Sequence, residues 1–171
     1  MHLLILPFTW LFLVLPFFAQ DSSVHDHVTR VVDGDTVILQ QIGRARLIGV
    51  DTPETVHPQE PVEYFGKEAS RFTKKLLEGE RVRVEFDWEK RDRYGRALVY
   101  LFLEDGTFFN AELVKQGYAH AYTQFPFKYL EEFRKYEREA REQGRGLWGD
   151  PGPENEPADS GIVYHGNQRS H

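Results

Sequence analysis

Four carboxylates and one arginine fall within a short stretch of the chain, close to positions where predicted strands give way to turns. They are Asp33, Asp35, Arg46, Asp51 and Glu54. Carboxylates that lie close together repel one another unless a cation sits between them. An arginine guanidinium binds phosphate oxygens through two parallel hydrogen bonds and keeps its charge. The stretch therefore predicts chemistry that combines a bound cation with a phosphate group.

The candidate metal ligands are the carboxylates of Asp35 and Asp51 and the backbone carbonyl of Thr52. If the strands that carry the two aspartates are neighbours, the start of one lies near the end of the other. Ca²⁺ fits such a set, because it accepts about six to eight oxygen ligands in loose geometry, carbonyls included. Zinc fits poorly, because the chain has no cysteine and its seven histidines are scattered. Either acidic segment alone is typical of an ordinary turn, and only their combination favours a metal site.

Two arginines are candidates for binding a phosphodiester. Arg46 lies on a predicted strand, five residues before Asp51, and we expect both side chains to reach the same edge. Arg96 follows the turn segment DRYG. A guanidinium aimed at a phosphate can stabilise the charge that grows in the transition state. Each arginine alone would be interpreted as a solvated surface side chain.

The elements that must position these residues are strands first and helices later. The predicted strands are residues 28–32, 36–39, 45–50 and 81–88, the run RALVYLFLEDG and the short segment YAHAY. Asp33-Gly34 marks a hairpin turn between the first two. Strands followed by late helices predict an α+β fold, a small five-stranded OB-type β-barrel with about three helices.

Three segments predict helices. KEASRFTKKLLEG carries apolar residues on one face and ends at Gly79. AELVKQG is short, with Asn110 as its predicted N-cap and Gly117 at its end. The third is KYLEEFRKYEREAREQGRGLWG, which has apolar residues at helical spacing.

The chain divides into four parts. Residues 1–20 lack Asp, Glu, Lys and Arg and are mostly apolar, which favours a signal peptide and leaves an N-terminal anchor open. Residues 21–27 are predicted to be a flexible lead-in, residues 28–149 the barrel domain, and residues 150–171 a disordered tail rich in Pro, Gly and acidic residues. The predicted location is secreted or periplasmic, with a membrane-anchored form facing outside the cytoplasm as the alternative.

The net charge of the chain is not typical of a nucleic-acid-binding protein. The formal net charge is -6, and residues 21–149 hold 23 acidic and 20 basic side chains. Nonspecific DNA-binding proteins usually carry a basic patch. Either the chain is not such a protein, or its attraction to phosphate is local and helped by a bound cation.

Six segments in order resemble the thermonuclease family, the staphylococcal-nuclease-like secreted nucleases. They are VVDGDTV, RLIGVDTPET, VEYFGKEA, DRYGRALVYLF, AELVKQGYA and GLWG. The resemblance covers most of residues 28–149 and implies an OB-type barrel that cleaves DNA and RNA to products ending in 3'-phosphates.

The resemblance also implies roles for single residues. Asp35, Asp51 and the Thr52 carbonyl match the family's calcium ligands. Arg46, Glu54 and Arg96 match its catalytic residues, with Glu54 accepting a proton from water or orienting it. Tyr94 and Tyr122 match the tyrosines that line its nucleotide pocket.

Two alternatives to a nuclease stay open at this point. One is a noncatalytic OB-fold module that binds nucleic acid, and the other is an anchored calcium-binding protein. The presence of Arg46, Glu54 and Arg96 favours the nuclease over both. DNA and RNA are the expected partners, no obligate protein partner is inferred, and a monomer is expected. Membrane association is expected only if the N-terminal segment stays uncleaved.

Overall fold

The computed structural model describes residues 24–55 and 64–149. Its strands are β1 (Val24–Asp33), β2 (Thr36–Leu39), β3 (Gly43–Leu47), β4 (Val50–Asp51), β5 (Arg81–Arg91), β6 (Ala97–Phe102) and β7 (His120–Ala121). Its helices are α1 (Gly66–Leu77), α2 (Phe109–Lys115), α3 (Leu130–Glu142) and a 3₁₀ turn at Gly146–Trp148. The predicted signal peptide or anchor and the predicted tail lie outside the described residues.

Five of the strands close into a barrel in the order β1-β2-β3-β6-β5. The β3–β6 pair is parallel, and the other neighbours in the barrel are antiparallel. Alternate positions of the strands fill the interior, where Val37, Ala45, Val84 and Val99 are fully buried. The predicted five-stranded OB-type barrel with three helices is confirmed.

Strand β1 begins earlier than predicted. Residues 24–27, expected to be a flexible lead-in, pair with residues 81–84 of β5, so that prediction is wrong for them. The segment is polar in sequence, yet Asp26 is buried. Its carboxylate accepts the N–H groups of Gln41 at 3.1 Å and Ile42 at 3.0 Å. A buried carboxylate satisfied by backbone donors can replace an apolar residue in a strand.

The predicted strand 45–50 is two strands in the structure. It breaks at Gly49, whose φ of 75° is a left-handed conformation that glycine adopts without strain. After the break, β4 leaves the barrel and pairs with β7, with Asp51 opposite His120. The predicted last strand YAHAY is therefore a two-residue strand outside the barrel, and this small ladder positions Asp51.

Asn110 does not cap α2, contrary to the prediction. It lies within the helix, and its side chain is fully buried against the barrel. Its amide donates to the carbonyls of Ile48 and Val99, both at 3.1 Å, and its Oδ1 accepts the Leu101 N–H at 2.9 Å. The asparagine is therefore a cross-link between α2, β6 and the β3–β4 turn.

Glycines end two of the helices as predicted. Gly79 and Gly117 follow α1 and α2 with φ of 88° and 75°. Within the part of the chain that the structure describes, no helix has the length and apolar character needed to cross a membrane.

Candidate active site

The Arg46 guanidinium joins the two carboxylates that were predicted to bind a metal. Its Nη1 lies 2.5 Å from Asp35 Oδ1, and its Nη2 lies 2.9 Å from Asp51 Oδ1 and 3.1 Å from the Val50 carbonyl oxygen. This arrangement follows from the strands, because Thr36 at the start of β2 pairs with Arg46 on β3. The hairpin turn and β4 thus meet at one edge of the barrel.

Asp35 is buried, with only 3% of its surface exposed. Burial raises the pKa of this carboxyl, while the Arg46 charge and hydrogen bonds from the Thr52 N–H at 3.2 Å and the Thr36 hydroxyl at 2.9 Å act to lower it. The net direction is upward. One guanidinium shared with Asp51 therefore does not offset the cost of burying this charge.

Thr52 packs tightly against the hairpin turn that carries Asp35. A β-carbon on Gly34 would lie 2.6 Å from Thr52 Oγ1, so a glycine is required for this approach. Thr52 Oγ1 is itself buried and has no hydrogen-bond partner. An unsatisfied buried hydroxyl is costly and points to an interaction with a further group at this edge.

Glu54 lies next to Asp33, the remaining carboxylate of the acidic stretch. Its Oε1 accepts the Thr55 N–H at 3.1 Å, and its side chain is hydrogen-bonded to Asp33. Burial raises the pKa of Asp33, the contact with Glu54 raises it further, and bonds from the Thr55 hydroxyl at 2.6 Å and the Gly34 N–H at 2.8 Å oppose this. The side-chain hydrogen bond with Asp33 orients Glu54.

Arg96 is held by an aspartate that the sequence reasoning missed. Its Nε donates to Asp92 Oδ2 at 2.6 Å, and its guanidinium carbon lies 5.5 Å from the centre of the Tyr94 ring. Asp92 Oδ1 also accepts the N–H groups of Tyr94 at 2.9 Å and Arg96 at 3.0 Å. The signal was present in DRYGR, because an aspartate at the start of a tight turn commonly bonds the backbone two residues later.

Arg46, Asp51 and Arg96 line a cleft of about 650 Å³, and both predicted nucleotide-binding tyrosines line it as well. Tyr94 is exposed, and its hydroxyl accepts from Arg93 Nη2 at 2.6 Å. Tyr122 is held by a bond from its N–H to the Gly49 carbonyl oxygen at 3.0 Å. The cleft thus combines guanidinium groups with aromatic faces.

The structure brings some of the predicted site residues together and sets others apart. Asp35, Arg46, Asp51 and Thr52 form one bonded group, while Glu54 contacts Asp33 and is not among the residues that line the cleft. Among residues 24–55 and 64–149, no group of three or more His, Cys, Asp or Glu side chains could hold a metal. A site built on Asp35 and Asp51 must therefore use backbone or water oxygens too.

Comparison with known proteins assigns this barrel to a family. The family described as staphylococcal nuclease homologue matches residues 44–150. This chain belongs to that family. The thermonuclease of Staphylococcus intermedius is 48% identical over 125 residues, which cover 71% of this chain and 74% of the relative. The thermonuclease of Staphylococcus hyicus is 45% identical over 125 residues, covering 71% and 73%.

A more distant relative is also named as a nuclease. Endonuclease YncB of Bacillus subtilis is 36% identical over 139 residues, which cover 78% of this chain and 65% of that protein. The matched part of this staphylococcal nuclease homologue includes Arg46, Asp51, Thr52, Glu54 and Arg96. Asp33 and Asp35 precede the matched residues and lie on the β1–β2 hairpin. The ion pair between Asp35 and Arg46 links this hairpin to the matched part of the chain.

Proposed function

We propose that this protein is an exported, calcium-dependent endonuclease that hydrolyses phosphodiester bonds of DNA and RNA and leaves 3'-phosphates. Its family and its thermonuclease and endonuclease relatives support a phosphodiester-hydrolysing nuclease. The observation that carries the proposal is the Arg46 guanidinium, which is bonded to two carboxylates and lines the same cleft as Arg96. Two guanidinium groups at one cleft suit a phosphodiester, which carries a negative charge that grows during cleavage.

The residues of this edge fit Ca²⁺. Asp35 and Asp51 would supply carboxylate oxygens and Thr52 a carbonyl oxygen, and burial raises the pKa of Asp35 despite the nearby charge of Arg46. Oxygen donors of this mixed kind are those that Ca²⁺ accepts. A bound Ca²⁺ would supply additional positive charge to polarise the phosphate.

The protein's own side chains divide the remaining work. Glu54 accepts a proton from the attacking water or orients that water, and its contact with Asp33 fixes its position. Arg46 and Arg96 donate hydrogen bonds to the phosphate oxygens as the negative charge on these oxygens increases in the transition state. The 5'-oxygen leaves, and its proton comes from an arginine or from water.

Digestion of single-stranded DNA with and without Ca²⁺ tests the proposal. We expect cleavage in millimolar Ca²⁺, since a site with two carboxylates and a carbonyl belongs near the weak end of the range of about 10⁻⁹ to 10⁻³ M for calcium. Full activity in excess EGTA with Mg²⁺ alone would contradict the calcium dependence. The absence of any cleavage would favour the noncatalytic module or the calcium-binding protein instead.

Export is proposed from the uncharged apolar segment at residues 1–20. Mass spectrometry of the mature protein should find an amino terminus between Ala19 and Ser23, after the apolar run. An intact Met1 in a membrane fraction would show that the segment is an anchor.

A further inference from the structure

The most exposed aromatic side chains of the described residues share one place. Tyr94, Trp88 and Phe125 are 68%, 65% and 64% exposed, and all three line the cleft that holds Arg46 and Arg96. Single exposed apolar side chains scattered over a surface are normal, whereas a cluster of exposed aromatic rings at one concave site indicates a binding surface. The roles described above use Tyr94 and leave Trp88 and Phe125 without a function.

A bulge in β5 presents Trp88 to the cleft. Phe86 pairs with Val99 and Arg91 pairs with Ala97, so residues 87–90 of β5 lie opposite a single residue of β6. Bulges of this kind occur beside active sites, where they redirect a side chain. Without the bulge, strict alternation would have fixed the direction of position 88 from that of Phe86.

Phe125 lies on the loop between β7 and α3. Its ring centre is 6.0 Å from that of Tyr122, and the next aromatic along the loop, Phe127, is buried against Phe133 at 5.4 Å between ring centres. The buried ring anchors the loop, while Phe125 stays exposed. Phe125 therefore extends the aromatic surface that begins at Tyr122.

One carboxylate holds the β5 bulge, which carries Trp88, in place relative to the loop that carries Phe125. Asp87, the neighbour of Trp88, accepts the N–H of Lys128 at 2.8 Å and the hydroxyl of buried Tyr100. The first bond ties the bulge of β5 to the loop of Phe125, and the second ties it to the core. Trp88 and Phe125 are thus held on connected supports.

We propose that Trp88 and Phe125 form a stacking subsite for a second nucleobase of an unpaired strand, next to the nucleotide at Tyr94 and Tyr122. The inference rests on the proposed function and extends it to a longer substrate. Arg93 and Arg96 line the same cleft and can bind the phosphates between the two bases. Aromatic platforms beside cations bind single strands, whereas in a duplex the base faces are covered by their neighbours.

Steady-state kinetics on oligothymidylates tests the subsite. With octathymidylate, Trp88→Ala should raise KM by about 5- to 100-fold, the size of a lost base–aromatic stack, while kcat stays within about threefold. Trp88→Phe should restore most of the binding, because a smaller ring still stacks. Phe125→Ala should act in the same direction, and Tyr64→Ala is the matched control because Tyr64 is exposed but does not line the cleft.

An abasic scan shows whether the lost contact is to a base. A single abasic residue at the stacked position should raise KM for the wild type and have little effect on Trp88→Ala, since the same contact is removed twice. An equal penalty in both proteins at every position would overturn the subsite. A fall in kcat for Trp88→Ala without a change in KM would also overturn it, because it would indicate only a structural role.

Binding without cleavage separates this inference from the proposed function. In EDTA, octathymidylate should quench the fluorescence of the wild type more than that of Trp88→Phe. If the wild type cleaves nothing, the proposed function fails while this measurement still decides the subsite. Equal quenching in both proteins, or cleavage by Trp88→Ala with unchanged KM, would overturn the stacking role and leave the nuclease standing.

Discussion

Two aspartate–arginine pairs flank the cleft, and their carboxyl groups behave in opposite ways. Asp35 and Arg46 are joined at 2.5 Å, and Asp92 and Arg96 at 2.6 Å. Burial raises the pKa of Asp35, and its bonds do not reverse this. Burial also acts to raise the pKa of Asp92, but bonds from the Arg96 guanidinium and from the N–H groups of Arg96 and Tyr94 outweigh it and lower the pKa.

The difference shows which aspartate has enough hydrogen bonds and positive charge around it to be stabilised in its ionised form. Asp92 receives its hydrogen bonds from within its own turn and needs nothing further to be ionised. Asp35 receives its bonds from β2, β3 and the segment after β4, and burial keeps its pKa raised in spite of them. This is the difference expected if the proposed Ca²⁺ site lies on the Asp35 side, whereas the Asp92 side holds an arginine.

The largest effect is expected from Glu54→Gln, on the Asp35 side of the cleft. The change keeps the shape and an oxygen for the Thr55 N–H but removes the proton acceptor, so kcat should fall by about 10² to 10⁴. Turnover of single-stranded DNA measures this. Far-UV circular dichroism and a Ca²⁺ titration in the presence of nucleotide should match the wild type.

A loss of less than about threefold for Glu54→Gln would contradict the assigned chemistry, because removal of a general base has a far larger effect. The Asp35 side would then bind a cation without performing catalysis. Tyr64→Ala serves again as a control, since it changes an exposed residue that does not line the cleft.

Truncation of the two arginines should have similar effects on activity and different effects on stability. Arg46→Ala and Arg96→Ala should each lower kcat by about 10² to 10³, the usual cost of losing a donor to the transition state. Arg46→Ala should also lower the free energy of unfolding by about 1 to 3 kcal/mol, because Asp35 loses its charged partner. Arg96→Ala should cost less, because Asp92 keeps two backbone donors.

Urea denaturation beside the activity assay checks this pair of variants. Arg→Lys at either position should stay well below wild-type activity, because lysine restores charge without the planar pair of donors. Equal stability losses for the two alanine variants would contradict the distinction between the two pairs.

A smaller loss is expected when only the support of Arg96 is weakened. Asp92→Asn keeps the turn acceptor but removes the charge that orients the guanidinium, so activity should fall by about 10- to 100-fold through misplacement of Arg96. Calcium affinity should be unchanged, since Asp92 belongs to the other pair. A variant that cleaves like the wild type would show that Arg96 needs no positioning.

The smallest effect is a difference in how stability depends on pH. The lowered pKa of Asp92 gives stability that is present above the ordinary aspartate value of 3.8 and is lost as pH falls through the folded-state value. The raised pKa of Asp35 gives stability that is present below 3.8 and is lost as pH rises through its folded-state value. Relative to the wild type, Asp92→Asn should therefore become less stable, and Asp35→Asn more stable, as pH rises.

Denaturation in EGTA between pH 3 and 7, a window that spans the ordinary value of about 3.8 for aspartate, measures both slopes. Parallel curves for the two asparagine variants would remove the basis of the comparison.

The sequence predicts those features that depend on local pattern. Asp33-Gly34 marks the hairpin, as the structure confirms. Arg46 and Asp51 meet at one edge as expected, but the cause is the break at Gly49, because residues five apart on an unbroken strand point to opposite faces. Features built from contacts distant in sequence were not predictable. Asn110 is typical of an N-cap until the carbonyl of Ile48, 62 residues away, accepts its amide.

The site shows the same division. The contact of Asp33 with Glu54 and the bond of Asp87 to Lys128 join segments whose separation gives no periodic signal. Trp88 ends an alternating run, so its position was expected, but the bulge that directs it toward the cleft arises from the pairing of β5 with β6.

The parallel pairing of β3 with β6 has a consequence for how activity arises during folding. Arg46 and Arg96 are 50 positions apart, and they come to one cleft because Arg46 lies opposite Leu98 in that pair. Contacts between distant segments form late and slowly, since the loop between them must first be closed at a cost in entropy. A chain with only its local hairpins in place would carry every proposed catalytic residue without the cleft, so the pairing of β3 with β6 is also the step that assembles the proposed active site.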